Sequence, residues 1–268
     1  MLEAMRISLN DPDLFAVTAV LAGVLGICVG SFLNVVIYRL PRGISLAMPP
    51  SHCPNCQRRL RWFENIPILS YLFLRGRCRT CRARISPRYA VVEAANGALW
   101  VAAVFVWRSN ILMALVAAFA VSVCLCVCFI DWEQGLIPDR FQIMLAFLAL
   151  PATLLDDYDG WFSHLIGAVA GGAVLALVGF LVSKRIGREA LGWGDVKFVT
   201  VCGALLGWKR LLLMLFIASV GGCLMTLFRK RGEKLKTVPF GPFLTLGFTV
   251  ALFAGEWIIR AYLSLFAR

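Results

Sequence analysis

The sequence predicts an all-α polytopic membrane protein of about eight transmembrane helices, with a small cysteine-rich insertion between helices 1 and 2. Three observations carry that prediction. Hydrophobic residues make up 60% of the 268-residue chain, and mean hydropathy is +0.80, values that suit a bilayer rather than water. The charged residues are few, 16%, and clustered. Apolar runs of a length to match a bilayer core of ~30 Å recur along the chain.

Taken in order, residues 1–13 are a short polar start. Leu14 to Ile37 is the first span, and its Gly23, Gly26 and Gly30 fall at helical spacing, which lets another helix approach closely. That run lacks the short apolar region and small-residue cleavage site of a secretory signal, so no cleavable signal peptide is expected. Residues 39–88 form the one sizeable soluble region, with eleven Arg against a single acid, Glu64. Basic loops stay in the cytoplasm, so this block is expected inside and the N-terminus outside.

Further spans are expected at 89–107, 111–130, 140–155, 161–183, 196–207, 211–228 and 242–264, the sixth being short enough to extend into its flanks. Eight spans put both termini outside. The loops 183–195 and 228–242 then fall inside, as their basic residues require. Asp156-Asp-Tyr-Asp159 falls outside, and Trp208-Lys-Arg210 is the one loop whose charge disagrees. The cysteine-rich block, the loop after Asp131, the loop before Asp195 and the Val238–Pro242 loop are each two spans apart, so they should share one face. The expected division is 1–38 for the first helix, 39–88 for the cytoplasmic block and 89–268 for the remaining bundle.

The net charge of +12 raises the question of a nucleic-acid partner. Its clustering fits topology better, and no such partner is expected; the lipid bilayer is. Six of ten cysteines lie in apolar runs, where Cys behaves as a small hydrophobe. The other four, Cys53-Pro-Asn-Cys56 and Cys78-Arg-Thr-Cys81, form a doubled C-x2-C pattern. Four thiolates with no open position indicate structural Zn²⁺ in a zinc-ribbon-like fold, ahead of a redox pair or free thiols. So short a block builds little core, and the metal would contribute most of its folding energy.

Two aspartates stand at membrane borders, where a carboxylate is costly. Asp131 ends an apolar run, at the helix terminus where the macrodipole disfavours a negative charge. Asp195, in Leu191-Gly-Trp-Gly-Asp195, opens one and can be read as an N-cap. Asp139, after Pro138, is read first as a cap. Asp131 and Asp195 are the candidate catalytic pair. Two carboxylates at hydrogen-bonding distance do not both ionise easily, so one keeps a proton while the other acts as base. Such a pair can activate water against a peptide carbonyl and protonate the leaving amine. A proton relay in a transporter is the competing use of membrane aspartates. No H-E-x-x-H or G-x-S-x-G motif is present, and His52 and His164 fall on opposite sides of the expected topology.

These motifs together resemble the type 4 prepilin peptidases, G-x-G-D aspartic proteases of membranes. The resemblance rests on Gly-Trp-Gly-Asp195, on Ile-Asp131 with Ile-Pro-Asp139, and on the cysteine quartet. Ser31-Phe-Leu-Asn-Val-Val-Ile-Tyr-Arg-Leu-Pro41 and Phe63-Glu-Asn-Ile-Pro67 with Arg75-Gly-Arg-Cys78 add to it. It covers about Gly30 to Gly247. It implies cleavage of the basic leader from type IV prepilins and type II secretion pseudopilins at the cytoplasmic face of the bacterial inner membrane. It implies N-methylation of the new N-terminus with S-adenosylmethionine, catalytic roles for Asp131 and Asp195, and zinc on Cys53, Cys56, Cys78 and Cys81. Glu64 and Glu93 are candidates to orient an amine, although such acids more often pair with nearby arginines. The alternatives are a peptidase without methyl transfer, or a non-enzymatic transporter or adaptor with a zinc knuckle. The site of the methyl donor, the oligomeric state and the particular prepilins are not legible.

Overall fold

The computed structural model of the chain describes residues 9, 11–156, 158–187, 191–228 and 239–266. Its helices are α1 (Pro12–Arg39), the short α2 (Leu69–Phe73), α3 (Arg88–Val106), α4 (Ile111–Gln134), α5 (Asp139–Leu155), α6 (Trp161–Ile186), α7 (Trp193–Phe228) and α8 (Gly241–Ser264). Among the described residues there is no strand beyond two isolated bridges. Six helices are long and apolar enough to cross a membrane: α1, α3, α4, α6, α7 and α8. Most of the basic stretch expected inside between α7 and α8 lies outside the described residues, as does Asp157.

The helix ends follow from local chemistry. The Asp11 side chain accepts the Asp13 N–H at 2.9 Å and Pro12 occupies the first turn of α1, where a missing N–H costs nothing. Gly135 closes α4 in a left-handed conformation (φ 67°), its N–H donating to Asp131 O at 2.8 Å. Gly187 closes α6 in the same way (φ 73°). Pro242 sits in the first turn of α8.

The sixth and seventh spans form one hydrogen-bonded run, with no loop at Trp208-Lys-Arg210. The run is broken at Gly207 (φ 74°, ψ 165°), a conformation open essentially to glycine alone. The chain reverses there. A Cβ added to Gly171 of α6 would lie 2.5 Å from Leu211 Cδ2 and 3.4 Å from Val199 Cγ1. In a straight helix, residues twelve apart are separated by about 18 Å; here both meet the same point of α6. Residues 193–206 and 208–228 are therefore two arms of a helical hairpin. With α5, this gives the eight apolar segments expected.

The chain forms two compact units, Met1–Cys126 and Val127–Arg268. In the first, α1 packs on α3 through glycine. A Cβ on Gly26 would lie 2.8 Å from Trp100 Cβ, and one on Gly30 would lie 2.8 Å from Glu93 Cα, so the expected close approach is observed. Polar groups add hydrogen bonds between helices. Asn96 donates to Gly26 O (2.7 Å), and Ser122, which receives the Trp100 indole N–H, donates to Asn96 Oδ1 (2.8 Å).

In the second unit, α6 runs antiparallel to residues 193–206, and α8 runs antiparallel to 208–228. Gly167 lies against Gly203, and Gly221 against Phe243. The far end of the hairpin accounts for the loop whose charge disagreed. Lys209 pairs with Asp159 at 3.1 Å, and the buried Arg210 pairs with Asp156, which also lies 3.2 Å from His164 Nε2. Each cation meets an acid from the α5–α6 connection, so the pair of basic residues adds little net charge to that face.

Candidate active site and metal centre

Asp131 stands in the last turn of α4 and is buried, at 6% exposure. Its Oδ2 accepts the backbone N–H of Gly241, the first residue of α8, at 2.8 Å. An amide at a helix N-terminus is a natural partner for a carboxylate, and it offsets the unfavourable C-terminal dipole of α4. Gly241 has to be glycine, because a Cβ would lie 2.7 Å from Asp131 Oδ2 and 2.9 Å from its Cγ.

Asp195 stands in the first turn of α7, which begins at Trp193 rather than Val196. It is therefore not the N-cap; its carboxylate reaches back to the Gly192 N–H, as in the second half of a capping box. Asp131 lies within electrostatic reach of Asp195. The fold thus brings the two candidates together within one unit, from helices 64 positions apart in the chain (195 minus 131). Gln142 of α5 donates to Gly194 O at 3.2 Å, and a Cβ on Gly194 would lie 3.3 Å from Ile137 Cβ. The α4–α5 connection and α5 thereby hold the start of α7 in place.

Asp139 is exposed, occupies the first turn of α5 after the cap residue Pro138, and pairs with Lys197 at 3.0 Å. It is a first-turn acid with an ion pair, not a side-chain cap. His164 lies with Asp156 at the other end of the hairpin from Asp195, so no imidazole of this unit serves the aspartates. Gly241 is the site residue that sequence reasoning missed. A Gly-Pro pair opening an apolar run was its only signal.

The cysteine quartet converges as expected. All four sulfurs lie within 4.8 Å of one another, and Cys53 Sγ is 3.7 Å from Cys81 Sγ. A tetrahedron with metal–sulfur bonds of about 2.3 Å has edges of about 3.8 Å, so the donor set fits a tetrahedral metal ion. The two halves share one backbone plan. Gln57 N–H donates to Cys53 O, and Arg82 N–H to Cys78 O. Cys53 N–H donates to Arg58 O, and Cys78 N–H to Ala83 O. Gln57 and Arg82 both take a left-handed φ (56° and 58°), and the bridges His52–Arg59 and Arg77–Arg84 close each knuckle at equivalent positions.

These turns aim N–H groups at sulfur. The backbone donors of Cys81 and Thr80 pull the Cys78 thiol down to about 6. The Asn55 side chain and the Ala83 N–H lower Cys81. Cys56 goes the other way, to about 11: the Arg58 N–H lowers it, but burial and the three neighbouring thiols outweigh that. A bound cation would relieve that crowding. Glu64 pairs with an arginine, the commoner use of such an acid. The Arg58 guanidinium, 2.8 Å away, and the Arg61 N–H hold its carboxyl below the usual range. Among the described residues no such cation stands beside Glu93.

Fold and site define a polytopic helical membrane protein with two aspartates on separate helices within electrostatic reach of each other, one of them held by a backbone amide. The comparisons agree. Residues 24–107 match the bacterial peptidase A24 N-terminal domain, and residues 118–227 match the type IV leader peptidase family. A prepilin leader peptidase/N-methyltransferase of Burkholderia pseudomallei (strain 1026b) is 36% identical over 87% of this chain and 84% of its own length. Proteins of that name from Stutzerimonas stutzeri and Aeromonas hydrophila are each 35% identical. The first covers 97% of both chains, and the second covers 89% of this chain and 91% of its own. No solved structure matches. The chain belongs to the type IV leader peptidase family.

Proposed function

We propose that this chain is a membrane aspartic peptidase that removes the basic leader of type IV prepilins and type II secretion pseudopilins, and an N-methyltransferase for the residue exposed. Asp131 and Asp195 carry the cleavage within the bundle 89–268. The observation that supports this best is that Asp131, held by the Gly241 amide, lies within electrostatic reach of Asp195. One carboxylate takes a proton from water as it adds to the scissile carbonyl, and the protonated partner passes its proton to the departing amine. A prepilin has a cationic leader in the cytoplasm and an apolar helix in the bilayer, so its scissile bond lies at the interface where such a pair serves. That places the site at the cytoplasmic face of the inner membrane. Residues 39–88 hold one structural Zn²⁺ on Cys53, Cys56, Cys78 and Cys81; the ion supplies a fixed crosslink and no open coordination position. S-adenosylmethionine, which the relatives' name implies as a co-substrate, supplies the methyl group.

Mass spectrometry of a prepilin incubated with purified protein and S-adenosylmethionine tests both activities. The wild type yields a shortened chain carrying one added methyl. Asp131→Asn and Asp195→Asn each leave the precursor intact while the protein remains folded; cleavage by either variant refutes the assignment.

A further inference from the structure

A cavity of about 430 Å³ opens in the first unit, between the end of α1 and the segments that lead into and out of the cysteine knuckles. Ser31, Phe32 and Arg39 form the α1 wall, and Ala47, Asn65 and Pro67 face them. The volume is within the range of small-ligand pockets, about 300–1,000 Å³.

Two features make this a built site. The first is Arg39, buried at 7% exposure. Its guanidinium donates to Ser45 O (3.0 Å), Leu46 O (3.3 Å) and Pro49 O (2.6 Å). Among the described residues it pairs with no acid; it holds residues 45–49 over the cavity as a wall.

The second is Glu93 of α3, buried at 6% exposure, which stands one residue behind the lining through its bonds to Ser31 and to Ile68, the neighbour of Pro67. Its Oε2 accepts the Ile68 N–H at 2.7 Å, and the Ser31 hydroxyl also donates to it. No Lys or Arg among the described residues pairs with it. A buried carboxylate held by two neutral donors is costly to ionise until a cation comes beside it. The side of the cavity that it backs therefore favours a positively charged ligand, with Phe32 and the prolines offering apolar surface to the rest.

We infer that this cavity binds S-adenosylmethionine, with Glu93 as counter-ion to its cationic end. The inference rests on the methyl-transfer reading above and adds to it a location and a charge partner. It also ties the cofactor to the metal. Ser51, Asn65 and Pro67 line the cavity from the zinc-stapled block, so losing the metal removes one wall.

Equilibrium binding of labelled S-adenosylmethionine and S-adenosylhomocysteine to full-length protein in nanodiscs tests this. Ala47 is exposed on the cavity wall, so Ala47→Trp fills the space without entering a core. It is expected to weaken S-adenosylmethionine binding at least about tenfold, with zinc content unchanged and leader cleavage within about twofold of wild type. Glu93→Gln keeps the shape and removes the charge. A loss confined to S-adenosylmethionine places Glu93 at the sulfonium, and an equal loss for both ligands places it at the amino-acid ammonium. Undiminished binding in Ala47→Trp overturns the cavity, and undiminished binding of both ligands in Glu93→Gln overturns the counter-ion. A wild type that cleaves prepilin but binds no S-adenosylmethionine refutes the methyl-transfer reading itself, a result separable from either.

Discussion

The Asp131 carboxylate fills the space that a side chain at residue 241 would need, and its Oδ2 accepts the Gly241 N–H at 2.8 Å. Substitution at this glycine displaces the carboxylate directly. Gly241→Ala is expected to lower leader cleavage by about a hundredfold or more, the order of loss that follows a 1 Å misplacement of a reacting group. The thermal transition should move far less than the rate. A variant that cleaves like wild type would show that Asp131 does not need this position.

Metal content should be one zinc per chain. Cys53→Ser should lose it and impair methylation more than cleavage, because the quartet shapes a wall of the cavity while the aspartates lie in the other unit. Elemental analysis alongside both assays decides this. Equal loss of the two activities would point to general misfolding instead.

At the far end of the hairpin, Arg210 and Asp156 are both buried. Asp156→Asn leaves a guanidinium without its counter-ion, which costs roughly 3–5 kcal/mol, and the melting temperature in detergent should fall accordingly. Although burial alone would raise the Asp156 carboxyl, hydrogen bonding from His164 and the charge of Arg210 hold it below the usual carboxylate range. A depressed acid stabilises the fold above its unfolded value, about 3.9, and that contribution is lost only as pH falls through the lower folded value. This pair should therefore contribute equally at pH 5 and pH 8. A drop in wild-type stability near pH 5 that is absent from the variant would contradict the assignment.

Gly207→Ala places a side chain at φ 74°, ψ 165°, with its Cβ 2.7 Å from Ser163 Oγ. The backbone alone costs on the order of 1–3 kcal/mol. Expression and melting temperature should drop, and Ser163→Ala should restore only the smaller, steric share.

Much of this was readable before any coordinates. The cysteine quartet shows because its members are close in sequence, and Asp131 stands out as a candidate because a helix C-terminus offers no structural reason for an acid. The spans show because lipid demands apolar length. What stayed hidden depends on partners distant in the chain. The charge of Lys209 and Arg210 disagreed with the topology until Asp159 and Asp156 were seen beside them. Gly241, inside the Val238–Pro242 loop, carried no sign of its role because its partner lies 110 residues away. The matched backbone bonding of the two knuckles is carried by main-chain groups, which leave no residue signature beyond the doubled C-x2-C.

The reversal at Gly207 has an evolutionary corollary. On that side of the second unit, the connections are one glycine and the short link between Leu155 and Trp161, so an insertion there would pry apart tightly opposed helices. On the aspartate side, residues 187–192 and 229–240 separate the helices along the chain. Variation in length among relatives, and any tailoring to different pilins, should accumulate at the rim that carries Asp131 and Asp195 and leave the opposite one nearly constant.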